Sequence, residues 1–71
     1  MIYTSKEVPY PYYGMKSYRI EINAGDPYRW FQRHIWTRED GTTEVDDWIP
    51  TPRMSQEMLE KKGYRPKEAD S

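Results

Sequence analysis

His34 is the one histidine in this 71-residue chain, and no cysteine accompanies it. It is the natural candidate for proton transfer near neutral pH. A hairpin closing at Asp40-Gly41 sets His34 beside Asp47, an arrangement that orients an imidazole and raises its pKa. Catalysis by such a dyad needs a third participant, and no Ser or Thr is placed beside His34. The pair therefore reads as a cross-strand surface contact. Asp46 and Asp47 offer two carboxylates, but neighbours on a strand point to opposite faces and cannot flank one glycosidic bond. Glu44, Asp46 and His34 match no metal-loop spacing, and the four glycines are scattered singly rather than gathered around a phosphate. No catalytic residue, metal or cofactor is expected.

The stretch DPYRWFQRHIWTREDG, residues 26 to 41, points instead to a surface. It holds two of the three tryptophans, the only phenylalanine and the only histidine. Charge is segregated around it. Arg29, Arg33 and Arg38 fall in a window without acids, and Glu39, Asp40, Glu44, Asp46 and Asp47 follow in a window without bases. Two facing strands account for that pattern through cross-strand pairing.

Composition bounds what can carry this surface. Five Ile, two Val and one Leu are a thin aliphatic supply, but seven Tyr and three Trp compensate, since each ring buries roughly 150 to 250 Å². One small domain with an aromatic core is expected. The absence of cysteine excludes disulfides and Cys-based zinc sites. A pI near 5.8 argues against a dedicated duplex-DNA binder. The opening MIYTSKEV lacks the features of a secretory signal, and no apolar run spans a bilayer, so a cytoplasmic protein is expected.

The expected fold is α+β: a three-stranded antiparallel meander, about 15–23, 28–38 and 42–49, with one C-terminal helix, about 52–62, packed on one face. Residues 1–14 read as an extended Tyr/Pro-rich arm, 15–64 as the domain and 65–71 as a disordered tail. Tyr18, Ile20 and Ile22 alternate with Arg19, Glu21 and Asn23, as a half-buried strand requires. Residues 28–38 have helix-like ends in Asp26-Pro27 and Gly41, yet their aromatic and β-branched content favours a strand. Thr51 is the expected helix cap, Pro52 its first turn and Gly63 its left-handed stop. Met54, Met58 and Leu59 face the sheet, and Tyr64 folds back onto Leu59.

A two-residue turn at Asp40-Gly41 pairs Trp36 with Val45, His34 with Asp47 and Arg33 with Trp48. Phe31, Ile35 and Trp48 then share one side with Ile20, under the helix. Tyr28, Trp30, His34, Trp36, Val45 and Ile49 share the other. An aromatic patch of this kind, rimmed by Arg19 and Arg38, marks a binding site. The expected partner-binding residues are therefore Tyr28, Trp30, His34, Trp36, Arg19 and Arg38. A larger protein is the favoured partner, as for an accessory or inhibitor protein of a phage or other mobile element. Single-stranded nucleic acid is the alternative, with rings stacking on bases and arginines holding phosphate. The adjacent acidic run opposes that second reading.

Overall fold

The alternating segment forms the longest strand of the sheet. A computed structural model describes residues 1–25 and 29–67, and in it β3 (Met15–Ala24) and β4 (Trp30–Arg38) make one long antiparallel pair. Ile20 lies opposite His34, and Asn23 opposite Phe31. The expected contact of Ile20 with Phe31 is thus displaced by three residues. The connection from Ala24 to Trp30 is longer than a tight turn, and an odd displacement moves Phe31 to the other side of the sheet from Ile20. Asp26, Pro27 and Tyr28, where the turn and the start of the strand were expected, lie outside the described residues.

The meander of three strands gives way, among the described residues, to a single seven-stranded antiparallel sheet. β1 (Ile2–Thr4) and β2 (Val8–Pro9) both pair with β3, so the N-terminal segment joins the sheet instead of only lying over it. On the far side β5 (Thr43–Val45) and β6 (Ile49–Pro50) share the edge of β4. Arg65–Pro66, expected within a disordered tail, forms β7 on the outer edge of β1. Residues 68–71 of that tail lie outside the described residues. These short strands each hold two or three residues, too few for period-two alternation to reveal them. Pro9, Pro50 and Pro66 all sit in strands at the margins, where a missing N–H breaks no central ladder.

The helix is also shorter than expected. α1 spans Gln56–Lys61 and is capped by Ser55, whose Oγ accepts the Met58 N–H at 3.2 Å. Thr51 is unavailable as a cap. Residues 51–55 are not helical, and the Thr51 N–H is donated to the Trp30 carbonyl, which ties Thr51 to the sheet instead. The C-terminal stop is as the sequence implies. Gly63 has a φ of 85°, its N–H bonds the Glu60 carbonyl, and the Tyr64 N–H bonds that of Leu59. This is a Schellman motif, and its hydrophobic contact joins Tyr64 to Leu59. Burial pushes the Tyr64 phenol above its ordinary pKa.

The register sorts the side chains into two faces. Tyr3, Tyr18, Ile20, Ile22, Trp30, His34 and Trp36 share the front, while Thr4, Arg19, Glu21, Arg33 and Ile35 share the reverse. Leu59 and Tyr64 pack against Ile22 together with Tyr3, Ile20, Trp30 and Met54. The helix therefore covers part of the front, not the Phe31, Ile35, Trp48 side where it was expected. The reverse face has its own centre. Glu21 is wholly buried there, and its two carboxylate oxygens are divided between Arg33 and Lys67, each at 2.8 Å. Arg33 in turn lies over the Trp48 ring, 4.1 Å from its centroid. An apolar helix has no place on a face built around that carboxylate. Among the described residues no helix is long and apolar enough to cross a membrane.

Burial raises the pKa of the Glu21 carboxyl, but hydrogen bonds from Lys67 and Arg33, with their positive charges, outweigh it and bring the net value below the usual range. A depressed folded-state pKa contributes stability that is fully present above the unfolded value of about 4.3 and is lost as pH falls through the folded value. Thermal unfolding should therefore show a Tm that falls in acid below about pH 4.5. Glu21→Gln should flatten that fall and should also cost about 3 kcal/mol at neutral pH, because it strips the partner from two cations. Leu59→Ala should cost about 2–5 kcal/mol in chemical denaturation, enough to leave so small a domain largely unfolded.

Candidate functional site

The half of the front face beyond the helix is paved with rings. Tyr10 follows β2 and meets Tyr12, Tyr18 and Trp36 edge-on, at centroid distances of 5.1, 6.0 and 5.3 Å. Tyr18 leans on both His34 and Trp36 at 5.2 Å, and His34 stacks on Trp36 with planes only 16° apart. Two strands set this arrangement: Tyr18 pairs directly with Trp36, and His34 is two residues further along β4 on the same side. All of these rings except Tyr12 are half-buried, and Tyr12 is 59% exposed.

A carboxylate rim follows from a change of register. Asp40-Gly41 does not make a two-residue turn. The Gly41 N–H bonds the Arg38 carbonyl, the Arg38 N–H bonds that of Thr42, and Gly41 has a φ of 90°. The loop is thus Glu39-Asp40-Gly41, a type I turn closed by a glycine bulge. Asp40 braces it by accepting both the N–H and the hydroxyl of Thr42. Those bonds, the hydroxyl's foremost, hold its carboxyl below the ordinary range. The added residue puts Glu44 opposite Trp36 and Val45 opposite Ile35, one step from the expected pairing. Asp46 then accepts the Trp36 indole N–H at 3.0 Å, and its own N–H bonds the His34 carbonyl. The expected pair of His34 with Asp47 is replaced by this contact. Beyond Asp46 the chain regains the expected register at Gln32 and Ile49, which leaves Trp48 over Arg33.

The expected contact residues separate. His34 and Trp36 stand together in the ring cluster. Trp30 packs against the core under the helix, and Tyr28 lies outside the described residues. Arg38 borders the rings but is bound to Glu44, while Arg19 belongs to the reverse face and reaches Glu7 at 3.5 Å. Tyr10, Tyr12, Tyr13 and Tyr18 belong to the surface and were not among the expected residues. The parity of Tyr18 with Ile20 carries a sign of this, since both point away from the charged side of β3. Among the described residues no three of His, Asp and Glu gather as metal ligands would.

The outermost member is Tyr13. It occupies the first central position of the turn Tyr12–Met15, closed by the Met15 N–H on the Tyr12 carbonyl, with φ of 54° at Tyr13 and 78° at Gly14. Positive φ at both central residues is the type I′ pattern, which suits Asn or Gly at the first of them. A tyrosine there is strained, and this one is 92% exposed. The Glu39 N–H bonds the Gly14 carbonyl, so the two hairpin tips stand side by side. Comparisons with family models, curated proteins and solved structures returned no match.

Relieving the strain at this tip should stabilise the fold. Tyr13→Asn, which tolerates left-handed backbone, should raise stability by about 1 kcal/mol, a Tm increase of roughly 4–8 °C in a domain of this size. Differential scanning calorimetry would register it.

Proposed function

We propose that this chain is a small non-enzymatic protein-binding module of the cytoplasm that docks a larger protein through the open ring-bearing half of its front face. Its size and class suit an accessory or inhibitor protein of a phage or other mobile element. Tyr13 is the observation that supports docking most. Its bulky side chain is held in a conformation that costs about 1–2 kcal/mol, almost wholly in water, beside a cluster of half-exposed rings. Backbone strain of this kind concentrates at functional positions, where an external contact offsets it. Tyr and Trp are also the residues that dominate interface hot spots.

Single-stranded nucleic acid is the weaker reading. Of Arg19, Arg29, Arg33 and Arg38, the arginines it would use, three already have acidic partners: Arg19 with Glu7, Arg33 with Glu21 and Arg38 with Glu44. The loop and strand beside the rings also present Glu39, Asp40, Asp46 and Asp47 as exposed carboxylates that repel phosphate.

The test is affinity capture from the native host with nuclease present, comparing the wild-type chain with Tyr13→Asn and with Trp36→Ala. A protein bound by the wild type and lost by both variants, while circular dichroism stays unchanged, is the expected result. Capture that disappears with nuclease, or that both variants retain, would sink the docking reading.

A further inference from the structure

The ring-bearing face and the strand beside it are unbalanced in charge. Residues 34 to 47 hold five carboxylates and one arginine, and that arginine, Arg38, is bound to Glu44. Trp36 is half-buried, with Glu44 opposite it on β5 and the Asp46 carboxylate hydrogen-bonded to the edge of its indole. His34 stacks against one face of this ring, so a planar cation meets its remaining exposed surface, where the anions border it. Guanidinium stacks on the quadrupole of an indole while its N–H fork meets carboxylate oxygens in the same plane. Ammonium has no such plane and remains strongly hydrated.

The reverse face of the same sheet holds this combination already assembled. Arg33 lies over the Trp48 ring at 4.1 Å while its Nε and an Nη atom bond the Glu21 carboxylate at 2.9 and 2.8 Å. Tryptophan, guanidinium and carboxylate make one unit there, wholly within the chain. On the front, Trp36 and Asp46 supply the ring and the acid at the surface.

Building on the docking function above, we infer that the partner presents an arginine-bearing loop or strand, and that one of its guanidinium groups lies against Trp36 within reach of Asp46 and Glu44. Tyr12 and Tyr13, at the neighbouring tip, then bracket the backbone of that segment. The exposed acids Glu39 and Asp40 on the adjoining turn extend the same attraction to further basic residues.

The test uses the whole chain and three synthetic hexapeptides that alternate glycine with arginine, lysine or glutamate. Binding is followed through the Trp36 indole N–H resonance, at low and at physiological salt. The arginine peptide should shift that resonance saturably and bind about three- to fivefold more tightly than the lysine peptide, the margin a cation–π contact gives at an exposed site. Asp46→Asn, an exposed change that leaves the fold intact, should weaken the arginine peptide by a similar factor. Trp36→Phe, followed through the backbone amide resonances of β4 and β5 because it lacks the indole N–H, should also weaken it, and Glu57→Gln on the helix should not. Equal binding of the arginine and lysine peptides, or indifference to Asp46→Asn, would mean diffuse attraction only and would overturn the assignment. So would binding of the glutamate peptide, or a stronger shift from oligothymidine. If the arginine peptide fails while capture of a protein still depends on Tyr13 and Trp36, the arginine assignment falls and the docking function stands. If capture is indifferent to both residues, the docking function falls with it.

Discussion

A fully buried carboxylate in the middle of a sheet obliges its surroundings to supply positive charge. Glu21 receives it from Arg33 on the neighbouring strand and from Lys67, which follows β7 two strands away. Neither cation alone satisfies both oxygens. The last described residue of the chain is thereby tied to the centre of the reverse face, and Trp48 is drawn over Arg33 from the opposite margin. One anion thus gathers β1, β3, β4, β7 and the segment before β6 into a single arrangement. It also decides where the helix goes. With the reverse face committed to charge, Leu59 and Tyr64 find their apolar contact on the front, around Ile22.

The front is consequently divided. The helix has only six residues, enough to cover Ile20, Ile22 and Trp30 but not the region where Tyr18, His34 and Trp36 meet. The N-terminal hairpin adds Tyr10 and Tyr12 to that region instead of hiding it. A single additional loop residue at Gly41 then exchanges Val45 for Glu44 beside Trp36. Without that bulge the rings would have had an aliphatic border. With it, they have an acidic one.

Sequence reasoning succeeded where one residue type has one dominant conformational use. Gly63 ended the helix, Tyr64 returned onto Leu59, and the alternation from Tyr18 to Ile22 made a strand. The mixed α+β class followed from these. It failed where two local signals competed or where an element was too short to have a pattern. Thr51, followed by Pro52, resembles a cap as much as Ser55 does, and only the hydrogen bond that ties it to Trp30 sets it apart. Asp40-Gly41 fits both a two-residue turn and a bulged three-residue one, and the two differ in the pairings of β5 with β4, from Thr43 to Val45. β1, β2, β6 and β7 are fragments stabilised only by the strand they lie against. The burial of Glu21 was hidden for a different reason. Alternation places it with Arg19 and Asn23 on what looks like a wet face, and its two partners, Arg33 and Lys67, are both remote in sequence.

The prolines of the marginal strands bear on how the molecule meets its neighbours. A row of unpaired amides at a sheet's border invites another chain to add itself as a further strand. Here three of the border segments, β2, β6 and β7, contain an imino acid that cannot donate, and the fourth, β5, is three residues long with an exposed glutamate at its centre. Lateral extension into fibrils is thereby discouraged at each of these margins.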